Sequence, residues 1–316
     1  MKQLDLFCDE GERAQALPDL DPGALLRDGW DLVVSISGGK DSQAMLRHLT
    51  RWHRQMAFKG QIIAVHADLG RAEWGVTPRV VAKQCADAGV PLHVVRRNDG
   101  LDLPALIDRR RHKLAGTDKP FWPSSAARYC TSDEKRAVIN VWVNNHFPTG
   151  RILVTMGMRA EESKNRARLP ILSERKGCHV KKRQVLNWLP IHDWTLSQVW
   201  WELGYRTDML RLYQAAIQQK REGGMDKQQL VENLLGSFVA HPAYALGNER
   251  LSCALCVLAG ENDLLNGAEF APDLYRQYTR WEMESGWSFQ DGKWLSDLRP
   301  DLLEPEVRKW QADRGA

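Results

Sequence analysis

Ser37-Gly38-Gly39-Lys40-Asp41-Ser42 follows the apolar run Leu32-Val33-Val34-Ser35-Ile36 and leads into Ala44, Met45, Leu46 and Leu49 at near-helical spacing. This pattern predicts a buried parallel strand, a glycine turn and the start of a helix. The first helical turn carries unpaired N–H donors and a partial positive charge, which suits a phosphate. Gly38 and Gly39 let backbone approach an anion closely. Lys40 can reach a phosphate oxygen, and Ser37 and Ser42 add hydroxyl donors. Asp41 beside phosphates would repel them unless a divalent cation lay between, which points to Mg²⁺. An ordinary glycine turn is the alternative, and six such residues in strand–helix context favour the phosphate loop. The spacing is not that of the Walker loop, because Lys40 follows the second glycine directly.

The rest of the chain supplies a setting for that loop. Its 316 residues suffice for a large α/β domain with a smaller appended region. No apolar run approaches the roughly 20 residues that cross a bilayer. The start, Met1 to Phe7, carries an acid too early for a secretory leader, so a cytoplasmic location is expected. A net charge of +4, from 44 basic and 40 acidic residues, permits nucleic-acid contact without requiring it. Two basic clusters, Arg109 to Lys113 and Arg175-Lys176 with Lys181-Lys182-Arg183, are either solvated faces or nucleic-acid contacts. The 13 Trp residues are expected mostly in the core, with any exposed ones available to stack on bases.

Strands are expected over 32–36, 61–67, 91–95 and 151–156, alternating with helices from 40 to about 54, 77–88, 103–113 and 133–145. Gly116 to Tyr129 reads as a loop. That alternation predicts an α/β fold with a doubly wound parallel sheet. Asp68-Leu69-Gly70 closes the second strand, where nucleotides bind in such sheets, making Asp68 a nucleotide-contacting candidate. Gly157-Met158-Arg159-Ala160-Glu161-Glu162-Ser163, with Arg166, follows the fourth strand. Its arginines could hold an anion bidentately, and Glu161 or Glu162 could position a nucleophile or metal. A helix start with surface salt bridges is the alternative there. Helices over 196–203, 208–220 and 227–238 imply a mainly helical C-terminal region. The organisation expected is an N-terminal arm over 1–28, the nucleotide-binding domain over 29–205 and the helical region over 206–316.

Six cysteines in a chain of this kind argue against a disulfide framework and towards metal or redox chemistry where they cluster. Cys8 and Cys85 read as bystanders. Cys253-Ala254-Leu255-Cys256 is a redox dithiol, half a zinc site or part of an iron–sulfur site. Cys130 ends the loop near the nucleotide site and could supply a third thiolate, with Cys178, His179 or His241 as a possible fourth ligand. A buried free thiol is the alternative for Cys130.

The loop resembles the SGGxDS loop of the PP-loop ATP pyrophosphatases, which split ATP between its α and β phosphates. With Asp68-Leu69-Gly70, Arg128-Tyr129-Cys130-Thr131 and Lys135, Gly157-Met158-Arg159 with Glu162-Ser163, and the run His241-Pro242 … Tyr244 … Gly247 … Arg250 … Cys253-x-x-Cys256, residues 30–260 resemble the phosphoadenosine phosphosulfate (PAPS) reductase family. The resemblance implies an adenine nucleotide alpha hydrolase-like fold. The family includes sulfonucleotide reductases, the small subunit of ATP sulfurylase and the sulfur-transfer component of DNA phosphorothioation. The reductases share a C-terminal Glu-Cys-Gly motif, whereas no cysteine follows Cys256 here. Their phosphate loop also tends to be degraded, while this one is complete. ATP sulfurylase subunits do not characteristically carry the Cys130-plus-CxxC set, and the phosphorothioation component resembles the chain in both respects.

These implications define an expected site. Ser37, Gly38, Gly39, Lys40, Asp41, Ser42, Asp68 and Gly157 would bind ATP. Lys40, Asp41, Arg159, Glu162 and Arg166 would act in catalysis, with Mg²⁺ near Asp41. Cys130, Cys253 and Cys256 would hold a 4Fe-4S cluster, or zinc as the alternative. The expected reaction adenylates an acceptor, releases pyrophosphate and supports sulfur transfer to DNA or tRNA, fed by a donor such as a cysteine desulfurase. A sulfonucleotide reductase, a sulfate adenylyltransferase-like enzyme and a nucleotide-binding regulatory or toxin-like module are the competing expectations.

Overall fold

The structure, a computed structural model, describes residues 16, 17, 19–251 and 253–315. Cys8 and most of the expected arm lie outside the described residues. The described chain opens with α1 (Pro22–Arg27), whose Asp21 side chain accepts the N–H groups of Gly23 and Ala24. Alternation then begins: β1 (Asp31–Ser35), α2 (Lys40–Gln55), β2 (Ile62–Ala67), α3 (Thr77–Ala88), β3 (Leu92–Val95) and α4 (Leu103–Leu114). After a long loop come α5 (Tyr129–Thr131), a wide π-helical turn over Ser132–Arg136, α6 (Ala137–His146) and β4 (Gly150–Thr155).

The six strands lie in the order β3-β2-β1-β4-β6-β5. All neighbours are parallel except β5 (Leu172–Glu174), which runs antiparallel to β6 (Arg183–Trp188). β1 is apolar on both faces because both are covered. Leu32, Val34 and Ile36 pack with Met45, Leu46 and Leu49 of α2 and Val81 and Cys85 of α3. Val33 packs on the opposite face with Ile139 and Val143 of α6. This is the expected doubly wound α/β architecture. Its order reverses between β1 and β4, so the loops leaving those strands diverge and open a crevice at their carboxyl ends.

The sequence did not reveal β5 and β6, because the polar positions of Arg183-Gln184-Val185-Leu186-Asn187 obscure a strand. The structure also separates the second basic cluster into two kinds of residue. Arg175 and Arg183 are buried. Arg183 donates to the carbonyls of Cys178, Asn144 and Phe147, and Arg175 to the side chains of Asn140 and Asn187. They tie β6 to α6 and have no exposed face for a polyanion, while Lys176, Lys181 and Lys182 remain exposed. In the first cluster Arg111 bridges Asp108 and Glu284, and Arg109 lies 3.7 Å from Asp99.

Helices dominate the remainder: α7 (Lys164–Ala167), α8 (Leu196–Glu202), α9 (Thr207–Glu222), α10 (Lys227–Ser237), α11 (Pro242–Ala245), α12 (Glu261–Phe270), α13 (Pro272–Ser285) and α14 (Pro305–Gly315). Thr195 caps α8 as its sequence predicted, accepting the Gln198 N–H. Apolar packing joins the helical region to the sheet domain: Ala44 and Trp74 lie in one cluster with Trp200, Leu234 and Tyr244. Leu69 and Leu106 share another with Leu255, Tyr275 and Trp281. Of the 13 Trp residues only Trp201 is exposed, at 71%. No described helix is long and apolar enough to cross a membrane.

Candidate functional site

The loop between β1 and α2 is a glycine turn closed by its own side chains. Gly38 has a φ of +78°, a left-handed conformation that favours glycine. The N–H groups of Gly38 and Gly39 have no acceptor among the described residues. Ser42 Oγ accepts the Ser37 N–H at 3.2 Å and donates to the Gly39 carbonyl at 3.0 Å, closing the turn on itself. Gln84 Nε2 holds the Gly38 carbonyl at 3.0 Å. From the C-terminal region, Tyr244 presents its hydroxyl oxygen to the Lys40 N–H at 3.2 Å. Tyr244 is legible only as part of the His-Pro-x-Tyr pattern, and no local signal ties it to this loop.

Charge is concentrated immediately beyond. Lys40 Nζ lies 2.9 Å from Asp41 Oδ2, and Arg159 Nε lies 2.7 Å from Asp41 Oδ1. All three are largely buried. Burial pushes the Asp41 carboxyl up, but Lys40 and Arg159 outweigh it and hold the group below its usual range. Burial likewise pulls Lys40 down, and Tyr244 and Asp41 more than restore it. Asp41 is therefore a buried carboxylate whose two oxygens each carry a cation. Gly157 makes this juxtaposition possible, since a Cβ there would stand 3.0 Å from Asp41 C and Ser42 N.

Arg159 also reaches Glu161 at 2.5 Å and the Trp194 carbonyl at 3.3 Å. Glu162 accepts the Arg159 N–H at 3.0 Å and pairs with Arg166. His192 Nε2 meets the Arg166 carbonyl at 3.0 Å, a contact absent from the sequence reading. Arg159 thus faces the loop directly, whereas Glu162 and Arg166 brace the turn that carries it. Asp68 is engaged locally: Oδ1 accepts the Gly70 N–H at 2.7 Å, and Oδ2 pairs with Arg96.

The cysteines divide into two groups. Cys130, Cys253 and Cys256 share an electrostatic neighbourhood that also contains Lys135. Cys130 and Cys253 line the same apolar cluster. Burial pushes both of their thiols up, Cys256 adds to the effect and Lys135 opposes it. The Leu258 N–H points at Cys256 Sγ, 3.5 Å away. The Ala254 N–H donates to the Ala72 carbonyl at 2.8 Å, fastening the CxxC to the turn after β2. Among the described residues no three His, Cys, Asp or Glu side chains converge as ligands of one metal ion. A 4Fe-4S cluster ordinarily takes four thiolates, of which Cys130, Cys253 and Cys256 could offer three.

The candidate fourth ligands lie elsewhere or are occupied. Cys178 is buried beneath the sheet beside Val33 and Ile139, close to Arg175 and Arg183. His241 is wholly buried, and burial depresses it to about 3. Its Nδ1 accepts the Ala243 N–H at 3.1 Å, and Nε2 lies 3.2 Å from Thr77 Oγ1. His241 is a clamp between α11 and α3. His179 is exposed. Cys85 is buried, with its thiol pushed up to about 11.

The sheet order and the glycine turn after β1 define an α/β protein of the doubly wound class. Residues 31–219, more than half of the chain, match the phosphoadenosine phosphosulfate reductase domain, and the chain belongs to that family. Two relatives, the tRNA-cytidine(32) 2-sulfurtransferases of Chromohalobacter salexigens and Cellvibrio japonicus, are 34% and 31% identical over 74 residues. Each alignment takes in 23% of this chain and 25% or 24% of the relative, so it spans about a quarter of their length. Among solved structures, Candida glabrata FMN adenylyltransferase with FAD and inorganic pyrophosphate has a TM-score of 0.35 and 15% identity, covering 55% of this chain and 48% of that one. The U34-tRNA thiolase NcsA of Methanococcus maripaludis, solved with its 4Fe-4S cluster, has a TM-score of 0.37 and 17% identity over 57% of each chain. Membership rests on the family match.

Proposed function

We propose that this PAPS reductase-family protein uses ATP to adenylate a nucleic-acid acceptor and supports replacement of the activated oxygen by sulfur. The observation that carries the reading is that the C-terminal region meets the β1–α2 loop through Tyr244–Lys40 and the turn after β2 through Ala254–Ala72, with Cys253 and Cys130 in one apolar cluster. A complete loop suits a triphosphate.

In this reading the free N–H groups of Gly38 and Gly39 receive phosphate oxygens, with the hydroxyls of Ser37 and Ser42 beside them. Asp41 would be the residue to hold Mg²⁺, which would supply positive charge beside the phosphates. An acceptor oxygen attacks the α-phosphorus, the bond to the β-phosphate bridging oxygen breaks, and pyrophosphate leaves. Lys40 and Arg159 stabilise the charge that develops, while Glu162 and Arg166 hold Arg159 in place. A sulfur nucleophile then bonds to the activated acceptor atom, the bond to the adenylate oxygen breaks and AMP leaves. Cys130, Cys253 and Cys256 would hold a 4Fe-4S cluster, which supplies an iron with an open position for exogenous sulfide. A cysteine desulfurase is a suitable source of that sulfur. The tRNA-cytidine(32) 2-sulfurtransferase relatives favour tRNA over DNA as the acceptor.

Anaerobic purification with iron and sulfide analysis tests the cysteine role. About four of each per chain and a broad visible absorption are expected, lost on replacing Cys130, Cys253 or Cys256 by Ala. A colourless, zinc-loaded protein would contradict it.

A further inference from the structure

His66 lies on β2, is 2% exposed and belongs to none of the groups assigned above. Its two ring nitrogens face two hydrogen-bond acceptors. Nδ1 is 3.0 Å from the carbonyl oxygen of Ile36, and Nε2 is 3.3 Å from Glu73 Oε2. A carbonyl accepts only, so Nδ1 must carry a proton. A neutral imidazole would then turn its Nε2 lone pair towards an ionised Glu73, placing two acceptors against each other in a buried site. Protons on both nitrogens satisfy both contacts. Asp68 is the other charged group acting on the ring. Burial alone would discharge His66, but the Glu73 hydrogen bond and charge outweigh it and hold the ring above its ordinary range.

The contact reaches both halves of the site. The Ile36 carbonyl and the Ser37 N–H belong to one planar trans peptide and point in opposite directions. Fixing that carbonyl against His66 therefore aims the Ser37 N–H at Ser42 Oγ, 3.2 Å away, where the anion loop closes. Glu73 follows the turn whose Ala72 carbonyl accepts the Ala254 N–H, and its charge reaches Cys253.

We propose that His66 is a positioning residue for the nucleotide loop, held as an imidazolium by Glu73, so that one buried ion pair sets the first peptide of the loop beside the turn to which the CxxC is hydrogen-bonded. The positioning role rests on the nucleotide reading given above; the ion pair does not.

Two measurements on the full chain test it. In protein labelled with ¹⁵N-histidine, with His66 assigned by loss of its signals in His66→Asn, both ring nitrogens should be protonated at neutral pH. Glu73→Gln can donate to Nε2, so that variant should show a neutral ring protonated only at Nδ1. A neutral His66 in the wild type would overturn the ion pair. In calorimetric titration with ATP and Mg²⁺, His66→Ala should weaken binding about tenfold, a typical loss for one buried hydrogen bond. His66→Asn, whose amide can still donate to Ile36, should stay within about threefold. Equal losses in the two variants would overturn positioning. Absence of ATP binding by the wild type would overturn it together with the nucleotide reading, while the ring signals would still decide the ion pair.

Discussion

At the scale of single residues the site depends on buried charges that need partners. Removing Lys40 by Lys40→Ala leaves Asp41 with Arg159 alone and deletes a cation from the phosphate position. Steady-state pyrophosphate release should fall by about a hundredfold or more, with the thermal midpoint recorded alongside to separate chemistry from folding. Glu134 offers an independent test in the π-helical turn after Cys130. It is 2% exposed, and its Oε1 lies 3.5 Å from Arg97 Nε without a hydrogen bond. Burial is the main cause raising its carboxyl to about 7, Arg97 opposes it, and Asp99, Asp133 and Asp102 add to it. The folded state therefore keeps a proton that the unfolded chain has already lost above about pH 4.5. That contribution is fully present below the unfolded value and disappears as pH rises through 7. Wild-type unfolding free energy should drop by on the order of 2–3 kcal/mol between pH 4.5 and 8 from this group. Glu134→Gln should flatten the change, as measured by denaturant unfolding at several pH values.

At the scale of elements, what was legible followed from periodicity and what was missed followed from long-range contact. β1, α2 and α3 were readable because their apolar positions repeat with the period of the element. β6 was not, because its pattern includes the buried, hydrogen-bonded Arg183, which looks like a surface residue when only its type is known. The phosphate loop and the three cysteines were readable as motifs. Their attachments were not: Tyr244 is 204 positions from Lys40, and nothing local couples them. Gly267 in α12 is another case. A Cβ there would stand 1.9 Å from the carbonyl oxygen of Ala254, inside the CxxC. Gly267→Ala should cost about 1–3 kcal/mol through overpacking and shift the CxxC. Denaturant unfolding measures the first effect, and reduced iron content per chain measures the second.

At the scale of the whole molecule, the helical region packs against the loop between β1 and α2. Tyr244 meets the loop, His241 clamps α11 to Thr77, and Ala254 is tied to the turn after β2. Tyr244→Phe removes the acceptor for the Lys40 N–H while preserving the packed ring. It should cost about 1 kcal/mol of stability and weaken ATP binding several-fold, as read by thermal unfolding and calorimetry. Family membership and fold are established by the match over residues 31–219 and by the sheet. The proposed function joins ATP cleavage at the loop to sulfur chemistry at the cysteines. That claim is tested most directly by incubating anaerobically prepared protein with α-labelled ATP, Mg²⁺, a sulfide source and tRNA, and resolving the nucleotide products. The account predicts AMP and pyrophosphate, formed in step with sulfur incorporation into the RNA. Formation of ADP and phosphate, or sulfur incorporation that does not require ATP, would contradict it.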